Sequence, residues 1–85
     1  MSERAAFVYL LRCRDRTLYC GWTFDVEQRL AAHRSGRGAR YTKTRLPVEM
    51  VAVFELPDAS SARREEARIK QLSRRAKLAL IAARA

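Results

Sequence analysis

The chain has 85 residues, with 18 Lys or Arg against 9 Asp or Glu, a formal net charge of +9 and a pI near 10.8. That length points to one domain, residues 1–85, whose core is modest, because a chain of this size buries only about 60% of its unfolded surface. No apolar run is long enough to span a bilayer or to form a signal core, and the charge calls for a polyanionic partner, nucleic acid first and an anionic membrane surface second.

Residues 1–6 read as a frayed start. Residues 7–23, FVYLLRCRDRTLYCGWT, follow as two aromatic and β-branched runs around a polar turn, the pattern of a β-hairpin. Asp15-Arg16 lacks the Asn-Gly or Asp-Gly chemistry of two-residue hairpins, so the loop is read as residues 14–16. That register sets Cys13 opposite Thr17, Leu11 opposite Tyr19 and Tyr9 opposite Gly21. Side chains alternate along a strand, so Tyr9 and Tyr19 then share a face, and Gly21 leaves room beside Tyr9. A two-residue loop would split the tyrosines, and both residues also serve simply as good strand formers. Cys13 and Cys20 do not face each other in this register. Two cysteines are too few for a disulfide scaffold, and with His33 the only histidine no closed Cys/His zinc site is available. A reduced, cytoplasmic protein is expected.

Thr23 or Asp25 can cap a helix that carries Asp25 and Glu27 in its first turn and runs to about Ser35, stopping at Gly36. Its apolar stripe is Val26 and Leu30. Arg29 and His33 are four apart, on one face beside that stripe, and point toward the tyrosines if the stripe packs on the hairpin. The plainer readings are a solvated charge at Arg29 and a helix-end partner at His33. Residues 35–45, SGRGARYTKTR, read as a loop. Arg37, Arg40, Lys43 and Arg45 around Tyr41 suit a phosphate backbone with one stacked base, although a flexible connection would have a similar composition. The spacing of a phosphate-cradling P-loop is absent.

Pro47 opens a third strand, VEMVAVFEL, apolar on both faces and therefore expected to be covered on both. Pro57-Asp58 ends it, and Asp58 or Ser60 caps a helix whose buried side is Ala62, Ile69 and Leu72. A break near Ser73 starts a last helix at Arg74-Arg75, with Leu78, Ile81, Ala82 and Ala85 as its apolar stripe. The expected order is β-β-α-β-α-α, an α+β fold. Glu65 and Glu66 both fall near the apolar side of the helix before the break. A carboxylate there needs a cation or a partner such as Lys70, four residues after Glu66. Helical geometry does not choose between the two glutamates.

Taken in order, Val8-Tyr9-Leu10, Tyr19-Cys20-Gly21, Asp25-Val26-Glu27-Gln28-Arg29 with His33, Tyr41, and Glu66-Ala67-Arg68-Ile69-Lys70 resemble the GIY-YIG nuclease superfamily, in the size of its small stand-alone bacterial members. The resemblance covers nearly the whole chain. It implies a three-stranded antiparallel sheet flanked by about three helices. It implies phosphodiester hydrolysis with one divalent metal, Mg²⁺ or Mn²⁺, on Glu66 rather than Glu65. It places Tyr9, Tyr19, Arg29, His33 and Tyr41 around the scissile phosphate, with Gly21 supporting the site. Arg37, Arg40, Lys43, Arg45 and Lys70 are then the residues that grip the nucleic acid, DNA before RNA.

The resemblance makes Tyr9 the general base. A free phenol titrates near 10, so this role needs its pKa lowered by about 2–3 units, or else a relay of its proton to a neighbour. No sequence-reading element such as a helix-turn-helix or zinc finger is evident, so structure-selective rather than sequence-selective cleavage is expected, with a homodimer or protein partner as a means of gripping substrate. Many family nucleases use an asparagine late in the domain, and this sequence has none. That departure supports the alternative of a basic nucleic-acid-binding module on the same scaffold with weak or no turnover.

Overall fold

The computed structural model describes residues 4–84. Its first organising feature is the turn at residues 14–16. Arg16 adopts a left-handed backbone with φ 69° and its N–H donates to the Cys13 carbonyl at 2.9 Å. The Cys13 N–H donates to the Thr17 carbonyl at 2.9 Å, closing the three-residue loop. Asp15 locks it by accepting from the Thr17 N–H at 3.1 Å and the Thr17 hydroxyl at 2.6 Å. This is the turn-plus-αL arrangement that three-residue hairpins use, and it fixes the register.

The flanking strands are β1 (Ala6–Arg12) and β2 (Leu18–Thr23), paired antiparallel with Tyr9 opposite Gly21 and Leu11 opposite Tyr19. β3 (Glu49–Leu56) adds to the other side of β1, giving the order β2-β1-β3. The chain between β2 and β3 forms α1 (Val26–Arg34) and the one-turn α2 (Arg40–Lys43), and α3 (Ala59–Lys70) and α4 (Arg74–Arg84) follow β3. The fold is thus α+β, a three-stranded antiparallel sheet with four helices.

Period-two alternation along β1 splits the core between the two faces of the sheet. Val8 and Leu10 join Cys20, Ala52, Ala62 and Ile69 on one face, closed over by Trp22, Phe54, Leu72, Leu80 and Ile81. Tyr9, Leu11 and Cys13 lie on the other with Val48, closed over by Tyr19, Leu30 and Leu46. A bulge in the β1–β3 pairing between Leu10 and Leu11 puts one extra residue, Val51, on β3, and Val51 packs with Ala52 toward the first face. Cys13 and Cys20 are free thiols in opposite clusters.

The helix starts follow the capping chemistry. Asp25 caps α1 by accepting from the Gln28 N–H at 3.0 Å, so it precedes the first turn rather than lying in it. Asp58 accepts from the Ser61 N–H at 2.7 Å, and Ser73 from the Ala76 N–H at 3.1 Å. Gly36, with φ +80°, ends the turn after α1 in a conformation that favours glycine.

Four boundaries differ from the sequence reading. Ala6, placed in a frayed start, is fully buried in β1, while residues 1–3 lie outside the described residues. The loop at residues 35–45 contains a helical turn, α2, which raises the helix count from three to four. β3 starts at Glu49, two residues after Pro47. In α4 the core-facing residues are Leu80 and Ile81, whereas Leu78 is 40% exposed and Ala85 lies outside the described residues. Ala82, expected on that stripe, is exposed as well, so of the expected stripe only Ile81 faces the core, joined by Leu80. Among the described residues no helix is long and apolar enough to cross a membrane.

Candidate active site

The tyrosine face of the sheet carries a buried polar chain rather than a purely apolar core. Tyr9 stands at the centre of β1, 1% exposed, and its hydroxyl lies 2.9 Å from His33 Nε2. His33 sits near the end of α1 and is its only buried residue. On the other side of the imidazole, Nδ1 lies 2.8 Å from the Thr42 hydroxyl of α2. Thr42 Oγ1 in turn lies 3.0 Å from the Ala39 carbonyl. A carbonyl oxygen only accepts, so the single Thr42 proton goes to Ala39 and the Thr42 oxygen accepts from His33 Nδ1–H. The neutral imidazole then presents Nε2 as an acceptor, and the Tyr9 O–H donates to it. Arg29 Nε donates to the same Tyr9 oxygen at 3.4 Å.

This polarised chain sets the titration of its members. Burial pushes the Tyr9 phenol above its usual 10.0, and the Arg29 hydrogen bond and charge pull it back only in part. Burial, then the Arg29 charge, holds His33 below its usual 6.5. Desolvation outweighs the lowering by Arg29, so the fall that a free tyrosinate base would need does not occur. At neutral pH the arrangement is therefore a protonated phenol facing a neutral imidazole.

Gly21 makes the arrangement possible. A Cβ on Gly21 would come 2.5 Å from the Tyr9 hydroxyl oxygen and 2.7 Å from Cζ. The Gly21→Ala variant is accordingly expected to force the phenol off His33 and to cost about 1–3 kcal/mol, the usual range for overpacking. Thermal unfolding checks the stability loss, and an unchanged melting temperature would show that Tyr9 can move aside freely.

The aromatic surface extends outward from Tyr9. Its ring centroid is 6.4 Å from that of Tyr19, whose ring stacks on Tyr41 at 6.0 Å and lies edge-on to His33 at 5.4 Å. The Arg45 guanidinium covers Tyr41 at 3.8 Å from the ring centroid and pairs with Asp15 in the hairpin loop at 3.0 Å. Arg37, Arg40 and Lys43 are exposed on and beside α2. Tyr9, Tyr19, Arg29, His33 and Tyr41 are thus brought together through strand register, the i, i+4 spacing on α1, and α2 closing over the histidine.

The two glutamates separate clearly. Glu65 receives two hydrogen bonds from Arg68, at 2.9 and 2.7 Å, which hold its carboxyl below the usual range. Glu66 has only a loose pairing with Lys70 at 3.7 Å, and its side chain is 21% exposed. Its charge raises the pKa of Tyr9 and of Cys20, whose thiol is pushed up to about 11 by burial and then by Glu66. Among the described residues no three His, Cys, Asp or Glu side chains gather into an all-protein cation cage. The donor that fits a hard cation is the single, partly exposed Glu66 carboxylate, in the manner of Mg²⁺, which keeps several waters and accepts substrate oxygens.

Thr42 and Gly38 complete the site and carry no sequence signal. Thr42 is fully buried yet sits in a polar, basic stretch where a threonine draws no notice. A Cβ on Gly38 would collide with His33 Nδ1 and lie 2.9 Å from the His33 Cα, so Gly38 lets the chain before α2 close over the imidazole.

A family model for the GIY-YIG catalytic domain matches residues 5–79. The UPF0213 protein YsiG of Lactococcus lactis is 51% identical over 76 residues, covering 88% of this chain and 73% of that protein. A UPF0213 protein of Syntrophus aciditrophicus is 49% identical over 76 residues, covering 88% and 87%. The solution structure of a UPF0213 protein from Bacillus halodurans superimposes with a TM-score of 0.61 at 42% identity, covering 93% of this chain and 84% of that one.

Proposed function

The chain belongs to the GIY-YIG catalytic domain family, and from that premise we propose that it is a divalent-metal-dependent endonuclease that hydrolyses phosphodiester bonds in DNA, selecting by structure rather than by sequence. A nuclease domain implies a nucleic-acid substrate, and the net charge of +9 suits one. The observation that carries the reading is the Tyr9 hydroxyl held between His33 Nε2 and Arg29 Nε while the Glu66 charge bears on it.

In this reading Tyr9, Tyr19, Arg29, His33 and Tyr41 act on the scissile phosphate and Glu66 holds the metal. The cation, when bound, would neutralise charge developing on the phosphate and the leaving oxygen. Arg29 offers its remaining guanidinium donors to a phosphate oxygen, matching the planar fork to the anion. Tyr9 acts as a relay. As the attacking water forms its bond to phosphorus, its proton passes to the Tyr9 oxygen and the Tyr9 proton passes to His33 Nε2. The ester bond to the leaving oxygen breaks, and that oxygen takes a proton from solvent. Burial, and then the nearby Arg29 charge, disfavours the imidazolium so formed, which promotes its return to the neutral state. Tyr19 and Tyr41 form the stacked wall against which a base or sugar rests, and Arg37, Arg40, Lys43, Arg45 and Lys70 meet flanking phosphates.

Thr42 holds His33 in the tautomer that this relay needs. In Thr42→Val the buried Nδ1–H loses its acceptor, a deficit of about 1–3 kcal/mol, and the imidazole is free to turn its acceptor away from Tyr9. Cleavage is expected to fall in Thr42→Val and to recover in Thr42→Ser. Equal loss in both variants would point to packing at the site instead.

The test of the function is cleavage of labelled duplex, nicked, branched and single-stranded DNA and of RNA, with Mg²⁺, with Mn²⁺ and with chelator. Metal-dependent cutting of DNA supports the proposal, and the preferred substrate defines its selectivity. Cutting that persists in excess chelator would refute the metal dependence. Binding without any cutting would select the module lacking turnover, the reading that the absence of asparagine favours.

A further inference from the structure

Beside the hairpin tip lies a cleft of about 490 Å³ lined by Arg12, Cys13, Arg14, Arg16, Arg74 and Leu78. Its volume is in the range of small-molecule sites. We infer that this cleft is a second phosphate-binding station for the nucleic acid, so that the bound strand runs from the tyrosine face past the hairpin tip to the start of α4. The inference rests on the nuclease reading for its class of ligand, and names where that ligand's flanking backbone goes.

Four observations carry it. First, the charge is unanswered: Arg12 pairs with Glu49 at 2.9 Å, but among the described residues Arg14, Arg16 and Arg74 have no carboxylate within ion-pair distance. Guanidinium groups gathered around one cleft repel one another, and an anion between them removes that cost. Second, the cleft is braced. Arg74 Nη1 donates to the Arg16 carbonyl at 2.7 Å, which ties α4 to the hairpin tip and leaves the other Arg74 donors available. Third, the lining is mixed. Leu78 is 40% exposed there, whereas Leu80 and Ile81 of the same helix pack on the core, and an apolar wall beside arginines suits a sugar–phosphate unit better than a lone ion.

Fourth, the cleft is joined to the candidate active site without a gap. Tyr19 stacks on Tyr41, Arg45 covers Tyr41, and Arg45 pairs with Asp15 in the hairpin loop. The Arg45 carbonyl also accepts from the Arg14 N–H at 2.9 Å. A backbone leaving Tyr41 and Arg45 next meets Arg14, and then the cleft. Because α4 packs against the opposite face of the sheet from Tyr9, a strand that fills both places must turn around the tip. Bent, nicked or branched DNA makes that turn more readily than straight duplex.

The test is the binding of labelled nicked DNA, measured by anisotropy without metal across a salt series, in a Glu66→Gln background so that no cleavage intervenes. Arg14→Ala/Arg74→Ala empties the cleft of two charges and spares Arg16, whose backbone the turn requires. Arg63→Ala/Arg64→Ala removes the same charge from α3 as a control. The cleft variant is expected to bind about 10- to 100-fold more weakly and to lower the salt slope by about 2, against less than about 3-fold for the control. Thermal unfolding of each variant verifies the fold, and Arg14→Lys/Arg74→Lys, which keeps the charge, is expected to recover most of the salt slope. A cleft variant no different from the control overturns the inference. So does loss of binding to anionic phospholipid vesicles with DNA binding intact, which would assign the cleft to a membrane surface. Absence of cleavage by the wild-type chain would refute the nuclease while leaving this binding result to stand or fall by itself.

Discussion

Replacing Glu66 by glutamine is expected to reduce DNA cleavage by about 10³-fold or more and to leave the fold and DNA binding in place. The side chain keeps its shape and loses only its charge, and that charge is what would hold the cation. Losing the metal contribution to transition-state stabilisation, about 4 kcal/mol, corresponds to roughly that factor. The structural cost is small, because the exposed pairing of Glu66 with Lys70 at 3.7 Å is worth at most about 0.5 kcal/mol. Two readouts separate a metal role from a structural one, and a third reports the lost charge itself. Mg²⁺ or Mn²⁺ is expected to raise the melting temperature of the wild type and not of the variant. The Cys20 thiol is expected to titrate below its present value of about 11, since one of the charges that raise it is gone. Glu65→Gln is expected to retain cleavage, because that carboxylate is already occupied by Arg68. Full activity in Glu66→Gln would sink the assignment.

The sequence made the frame of the site legible because the frame rests on local chemistry. The turn at residues 14–16 set the register, and the register alone put Tyr9 beside Gly21 and on the face of Tyr19. Aspartates at positions 25 and 58 and the serine at 73 mark helix starts by the hydrogen bonds their side chains make within three residues. What stayed hidden depends on contacts between distant segments. His33 was legible as a residue facing the tyrosines or as a helix-end partner, but not as the group by which α1 is anchored, bonded to Tyr9 across 24 positions and to Thr42 across 9. Apolar periodicity cannot report such an anchor, because the one fully buried side chain of α1 is polar and its cost is met by hydrogen bonds rather than by area. The same holds for α2, a single turn in a basic stretch that is stabilised by what it covers. The choice between Glu65 and Glu66 was closed to helical geometry. Geometrically, it turns on which carboxylate Arg68 reaches.

Removing one oxygen in Tyr9→Phe is expected to lower kcat by about 10²–10⁴-fold, the range for loss of a positioned proton-transfer group, with little change in KM for DNA. The ring remains in its buried place, and His33 Nε2 and Arg29 Nε each lose a partner, at a stability cost of about 1–3 kcal/mol. The pH profile of the wild type distinguishes how Tyr9 acts. A relay requires His33 neutral and Tyr9 protonated. His33 is held below 6.5 and Tyr9 above 10.0, so both conditions are met throughout the neutral range. Activity should therefore form a plateau around neutrality, fall on the acid side below pH 6.5 as His33 takes a proton, and fall again only in strong alkali. A tyrosinate acting as free base would instead give a rate that climbs through neutrality toward a pKa above 10.0, with no plateau. Stability carries the same sign. The folded chain binds a proton at His33 less readily than the unfolded chain does, so stability present above 6.5 is lost as pH falls toward the lowered folded value. A melting temperature that declines with the acid limb of the activity would tie both to one imidazole. Wild-type kcat in Tyr9→Phe, or a rate still rising at pH 9, would remove the relay and leave His33 as a packing group.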